Sequence, residues 1–234
     1  MPNGWVAVNT SQRRGGSPDV KATYLQAIRR IGFIPLVISP LDSHDETLRK
    51  LQFSVGLILI GGPDIPTEFY GGKGHPTISD QDPRKVDRDF FLISTCARLN
   101  LPILGICAGM QLLGCYFGGT MLAHIPEAGR LCHQITGRHQ LQKVTDRFRD
   151  QTRIKTWWVN SRHHQCLDSP GELRVEAESI DGLIEAVSHP KYPIWGVQWH
   201  PEDMIDEPQS RNLFLAMTTA YGSRPCLRRS VQVV

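Results

Sequence analysis

Pro102-Ile-Leu-Gly-Ile-Cys-Ala-Gly-Met-Gln111 runs as an apolar strand into Gly105-x-Cys107-x-Gly109 and continues in a helical pattern. Strand, sharp turn and helix in that order are the setting of a nucleophile elbow, here with cysteine where serine is more common. The turn forces the central residue into a strained conformation, and the flanking glycines let neighbouring backbone approach. A thiol held at the start of the following helix meets the partial positive charge of the helix N-terminus, which favours thiolate. Cys107 is therefore the candidate nucleophile.

Working outward, the first half alternates short apolar runs with helix-type stretches. Trp5 to Val8, Ile34 to Ser39, Gly56 to Ile60 and Ile103 to Ile106 read as strands, and Gly56 to Ile60 carries the strongest buried-strand signal. Val20 to Ile31, Asp45 to Gln52, Val86 to Leu99 and Met110 to Phe117 read as helices. Strands joined by helical crossovers imply parallel βαβ units. From Thr120 to Pro193 the pattern favours strands and turns. Leu173 to Glu178 and Leu183 to Val187 form a hairpin pattern around Asp181-Gly182, Ile194 to Trp199 is a further strand, and Gln209 to Tyr221 a closing helix. The expectation is an α/β fold with a mostly parallel central sheet flanked by helices and a β-rich insertion in the second half. It forms a single domain over 1–222 with a tail at 223–234.

The 234 residues are 40% hydrophobic and 21% charged, globular proportions that exclude long disorder and coiled coil. A net charge of +3 is too small to indicate a nucleic-acid or membrane-surface partner. The longest apolar run is far below the roughly 20 residues of a membrane span, and no secretory signal opens the chain, so a cytoplasmic location is expected. None of the six cysteines has C-x-x-C spacing.

A thiol nucleophile needs a base and a group to orient it. Trp195-Gly-Val-Gln-Trp-His-Pro-Glu202 ends a strand with His200 and Glu202 two residues apart, spacing that lets Glu202 hold the imidazole while His200 moves the proton. In Gly56-Leu-Ile-Leu-Ile-Gly-Gly-Pro-Asp-Ile-Pro66 a buried strand ends at Gly61-Gly62, whose backbone N–H groups, with that of Ala108, form a candidate oxyanion hole. His163 and His164, with His133 and His139, raise the question of a metal. Adjacent histidines on a strand point to opposite faces and no zinc spacing is present, so no metal is expected. The Asp80, Asp82, Asp87, Asp89 group reads as a solvated loop and helix start. Trp157-Trp158 fits a pocket wall or the core beneath the insertion equally well.

With these residues in hand, the chain resembles the class I glutamine amidotransferases. Within them it is closest to the γ-glutamyl hydrolase (peptidase C26) type, above all the γ-glutamyl-γ-aminobutyrate hydrolases. The resemblance is carried by the elbow with Gln111, Gly61-Gly-Pro-Asp-Ile-Pro with Tyr70-Gly71, and Asp87-Arg88-Asp89. Val159-Asn-Ser-Arg-His-His-Gln165, the segment Leu173 to Ser188, and His-Pro-Glu202 complete it. It implies a flavodoxin-like core, a Cys107–His200–Glu202 triad, a γ-glutamyl thioester and no cofactor. It also implies an oxyanion hole at Gly62 and Ala108, and a substrate pocket with Gly61, Gln111, Ser161 and His163. One departure is Ala108, where the hydrolases often have Arg; small residues there also occur in ammonia-channelling amidotransferases. The implied function is hydrolysis of γ-glutamyl amides, the alternative an amidotransferase subunit feeding ammonia to a separate synthase. A small-molecule γ-glutamyl substrate, a homodimer and, in the alternative, that synthase are the partners the resemblance allows.

Overall fold

The apolar run that reads most clearly in the sequence lies at the centre of the sheet. In the computed structural model, which describes residues 3–72, 75–78, 81–125, 137–153 and 158–222, that run is strand β3 (Ser54–Leu59). It pairs in parallel with β1 (Trp5–Val8) on one side and β4 (Ile103–Ile106) on the other. β2 (Ile34–Val37) flanks β1 and β11 (Ile194–Val197) flanks β4, both parallel. The resulting order β2-β1-β3-β4-β11 is the flavodoxin-like arrangement, in which ligands bind beyond the carboxyl ends of the strands.

Helices cover both faces because each strand buries side chains on both. Tyr24 and Ile28 of α1 (Ala22–Arg30), Phe148 of α5 (Asp146–Thr152) and Phe214 and Met217 of α6 (Pro208–Gly222) pack with Val6, Val8, Ile58 and Leu104. Leu51 of α2 (His44–Phe53), Leu92 and Ile93 of α3 (Pro83–Arg98) and Leu112 and Leu113 of α4 (Ala108–Tyr116) pack with Ala7, Leu57 and Leu59. Local signals fix several helix starts. Ser43 and Glu46 form a reciprocal capping box on α2. Asp82 caps α3, with Pro83 at the first position.

The strand-rich second half continues the same sheet. β10 (Ile184–Ser188), β9 (Arg174–Ser179), β6 (Gly137–Val144) and β7 (Trp158–Ser161) extend it antiparallel beyond β11, giving nine strands among the described residues. A separate pair, β5 (Thr120–Leu122) with β8 (Cys166–Ser169), packs beside it. The expected hairpin is β9–β10, turned through Gly182 at φ 77°. Helix α5 falls where strands and turns were expected, started by the Thr145 side chain accepting from the Phe148 N–H. Two of the acidic residues read as solvated are buried: Asp82 at the start of α3, and Asp89, which is ion-paired with Lys85 and hydrogen-bonded by Asn9. For Asp89, burial pushes the carboxyl pKa up despite Lys85. Trp158 is exposed, whereas Asp80, His133, Trp157 and the tail 223–234 lie outside the described residues.

Candidate active site

Three strand ends converge. The register sets Leu59 beside Gly105 and Gly105 beside Gly196, so β3, β4 and β11 deliver Gly61, Cys107 and His200 to one end of the sheet. Cys107 sits at φ 53° and ψ −111°, the left-handed side of the map where an L-residue is strained. Two glycines make the turn sterically feasible. A Cβ on Gly109 would stand 2.1 Å from the Leu59 carbonyl oxygen, and one on Gly105 would stand 2.6 Å from that of Gly109. The Cys107 N–H donates to the Val197 carbonyl at 2.8 Å, tying the elbow to β11. Ala108 opens α4, and a first-turn amide has no acceptor within its own helix.

His200 Nδ1 lies 2.7 Å from Glu202 Oε1, with Glu202 buried. The Asn160 side chain clamps the His200 backbone from β7. Its Oδ1 accepts the His200 N–H at 2.8 Å and its Nδ2 donates to the His200 carbonyl at 3.0 Å. Burial, the largest single influence, presses the imidazole pKa down. The charge and hydrogen bond of Cys107, then those of Glu202, outweigh it and raise the pKa to about 10. The surroundings therefore favour a cationic His200.

Gln198 Nε2 donates to Cys107 Sγ at 3.7 Å from behind. Gln111 Nε2 donates to Gln198 Oε1 at 3.3 Å and to the Gln165 carbonyl at 2.9 Å, and His163 Nδ1 meets that same carbonyl at 3.0 Å. Gln111, Ser161 and His163 are all buried, and Gln111, through Gln198, forms a polar layer behind the elbow that His163 joins at the Gln165 carbonyl. The open cavity, of about 510 Å³, is lined instead by Ser11, Arg13, Lys21, Tyr24, Gly61, Gly62, Cys107, Arg162 and His200. One side of that wall is the loop after β1, closed by paired backbone hydrogen bonds between Ser11 and Asp19.

Tyr24 was visible in the sequence only as an apolar helix position. Its hydroxyl accepts the Gly61 N–H at 2.9 Å, which leaves the neighbouring Gly62 amide as the loop's candidate oxyanion donor. Burial, then the charges of Glu202 and Cys107, push the phenol pKa well above its usual value. Arg162 forms an ion pair with Asp203 and stands 3.8 Å from Glu202 Oε1. His200, Glu202 and Asp203 offer metal-ligating atoms within 4.8 Å of one another. Glu202 is already engaged by the imidazole, and the guanidinium answers the charge of Asp203. His164 faces away from His163, toward Asp64 at 2.9 Å and His124 at 3.2 Å.

The family model for peptidase C26 matches residues 7–202, which include the elbow, the Gly-Gly loop and the His-Pro-Glu end. The chain belongs to the peptidase C26 family. The C26 chain is 32% identical to the γ-glutamyl-γ-aminobutyrate hydrolase of Escherichia coli K12, over 84% of each. It is 30% identical to a Mycobacterium tuberculosis protein whose assignment as a glutamine amidotransferase is itself provisional, over 91% of this chain and 73% of that one. In fold it is similar to a glutamine amidotransferase from Thermotoga maritima, with a TM-score of 0.61 at 15% identity over 96% of this chain and all of that one. Its chemistry is that of an amide hydrolase or glutamine amidotransferase-like protein. Among the described residues no helix is long and apolar enough to cross a membrane.

Because Tyr24 holds the Gly61 amide, Tyr24→Phe in the C26 chain is expected to lower kcat about tenfold, with KM changed less than about threefold. Steady-state kinetics check this, and an unchanged kcat would assign the hydroxyl to packing alone.

Proposed function

We propose that residues 1–222 act as one hydrolase domain for γ-glutamyl amides, with Cys107 as nucleophile, His200 as proton carrier and Glu202 as its orienter. The observation that carries this is the His200 imidazole, held by Glu202 at 2.7 Å and raised to about pKa 10 chiefly by Cys107. Cys107 Sγ attacks the γ-carbonyl carbon, and the carbonyl π-electrons move to oxygen. The oxyanion is met by the amides of Gly62 and Ala108, each worth roughly 3–4 kcal/mol at the transition state. As the C–N bond breaks, His200 gives its proton to the departing amine. Water, deprotonated by His200, then attacks the thioester, and glutamate leaves as Cys107 recovers its thiolate.

The amine half is proposed to carry an acidic group. Arg13 and Lys21 bring cations to the cavity wall with the carboxylate of Asp19, beside an Arg162 that is already paired with Asp203. The leaving amine in the E. coli relative's name, γ-aminobutyrate, bears a carboxylate. Cys107 and Cys115 are free thiols, in keeping with the reducing, cytoplasmic setting proposed here.

Steady-state kinetics on the isolated chain test the reading. γ-Glutamyl-γ-aminobutyrate is expected to turn over at about 1–100 per second, faster than a γ-glutamyl amide of a neutral alkylamine, with glutamine the poorest substrate. Inactivity on every γ-glutamyl amine, with glutaminase activity appearing only on addition of a synthase-containing extract, would favour the amidotransferase reading instead.

A further inference from the structure

Lys85 and Asp89 form an ion pair one turn apart on α3, and both side chains are almost wholly buried. Burying two charges is costly, and apolar residues of similar volume often serve stability as well or better. The pair lies outside the triad and away from the cavity that holds Cys107. Neither the chemistry nor simple packing accounts for it.

The second partner of Asp89 supplies a reason. Asp89 Oδ1 accepts from Asn9 Nδ2 at 3.0 Å, and Asn9 Oδ1 accepts the Ile60 N–H at 2.8 Å. Asn9 follows β1 and Ile60 follows β3, so one side chain ties two strand ends to α3. The roles along this chain are forced from its far end. A backbone N–H only donates, so Asn9 turns its oxygen to Ile60 and its NH2 to Asp89. Both Asp89 oxygens then accept, Oδ1 from Asn9 and Oδ2 from Lys85. That suits an ionised carboxylate. Burial pushes its pKa up, and Lys85, then Asn9, pull it back.

Ile60 leads into the Gly-Gly loop. A Cβ on Gly61 would stand 3.1 Å from His200 Cε1 and 3.3 Å from Cys107 Cβ, so the loop backbone lies against both. Side chains pin it on either side of Gly62. Tyr24 accepts the Gly61 N–H at 2.9 Å, and Gln81 Nε2 donates to the Pro63 carbonyl at 2.9 Å.

We propose that Asp89 is a positioning residue for this loop: anchored by Lys85, it sets which way the Asn9 amide faces, and Asn9 holds Ile60 and the glycines that follow. The catalytic part of the proposal rests on the hydrolase reading, in which the loop carries the Gly62 oxyanion donor. Such a donor acts at the transition state, so loosening the loop lowers kcat with little change in KM.

Kinetics and amide hydrogen exchange on the full chain decide it. In Asp89→Asn the Asn9 amide is free to face either way, and kcat for γ-glutamyl-γ-aminobutyrate should fall about tenfold with KM within about threefold. Asn9→Asp sets two carboxylates face to face and should cost at least as much. Combining Asn9→Asp with Asp89→Asn exchanges donor and acceptor and again offers Ile60 an oxygen, so kcat should return to within about threefold of wild type. The Ile60 amide, although beyond β3, should exchange as slowly as the core strands in the wild-type protein and at least about tenfold faster in folded Asp89→Asn. An unchanged kcat in folded Asp89→Asn, or a double variant no better than the singles, overturns the proposal. If the variants fail to fold, wild-type exchange decides alone: an Ile60 amide as fast as exposed-loop amides overturns it. If the wild-type chain turns over no γ-glutamyl amide, the hydrolase reading falls, while exchange still judges the link from Asp89 to Ile60.

Discussion

Cys107→Ala is expected to lower γ-glutamyl amide turnover by at least about 10⁴-fold while the chain stays folded. The sulfur is a small part of the core contacts, and the elbow is held by backbone bonds to Val197 and by the two glycines, which alanine keeps. Mass spectrometry of quenched wild-type reactions should find the γ-glutamyl adduct on Cys107 and on no other cysteine. Cys115, for example, is buried so that its thiol pKa is pushed up to about 12. The same substitution should also lower the His200 pKa. Burial already presses it down, and the opposing charge of Cys107 would be gone. Turnover within tenfold of wild type would remove Cys107 from the mechanism.

The second large effect is expected at the base. His200→Asn should cost about 10³–10⁴-fold in kcat, and Glu202→Gln should be roughly a hundredfold milder, because the imidazole moves protons while the carboxylate orients it. A Glu202→Gln enzyme as active as wild type would place the orienter elsewhere. His200 also predicts a pH-dependent stability. A histidine held protonated to about pH 10 in the fold, against about 6.5 when unfolded, stabilises fully below pH 6.5. That contribution fades as pH rises from 6.5 through 10. Denaturant midpoints for wild type and His200→Asn should therefore lie furthest apart near pH 6 and converge by about pH 10.5.

Where backbone geometry follows from short-range pattern, the sequence was easy to read. The run at β3, the elbow and the β9–β10 hairpin rest on apolar spacing and on glycines whose places sterics dictate, and all three stand where expected. β6 was harder, because Gly137-Arg-His-Gln-Leu-Gln-Lys-Val144 is mostly polar and is a strand because β9 and β7 pair with it. Helix α5 depends on a threonine cap and the burial of Phe148 rather than on any long amphipathic run. Cys107, His200, Glu202 and the Gly-Gly loop could be nominated from motif and spacing. Tyr24 could not, since periodicity registers its ring and ignores its hydroxyl. Asp89 reads as a solvated charge in the sequence because its burial and its partner Asn9 arise only when the end of β1 is packed against α3.

The strained backbone at Cys107 also bears on how durable the protein can be. A residue at φ 53° and ψ −111° costs of order 1–3 kcal/mol, a sizeable share of a domain's net stability of about 5–15 kcal/mol. Glycine would sit there at ease, so a descendant released from catalysis could relax this turn and gain resistance to heat. Selection for turnover and selection for longevity therefore pull on the same residue in opposite directions.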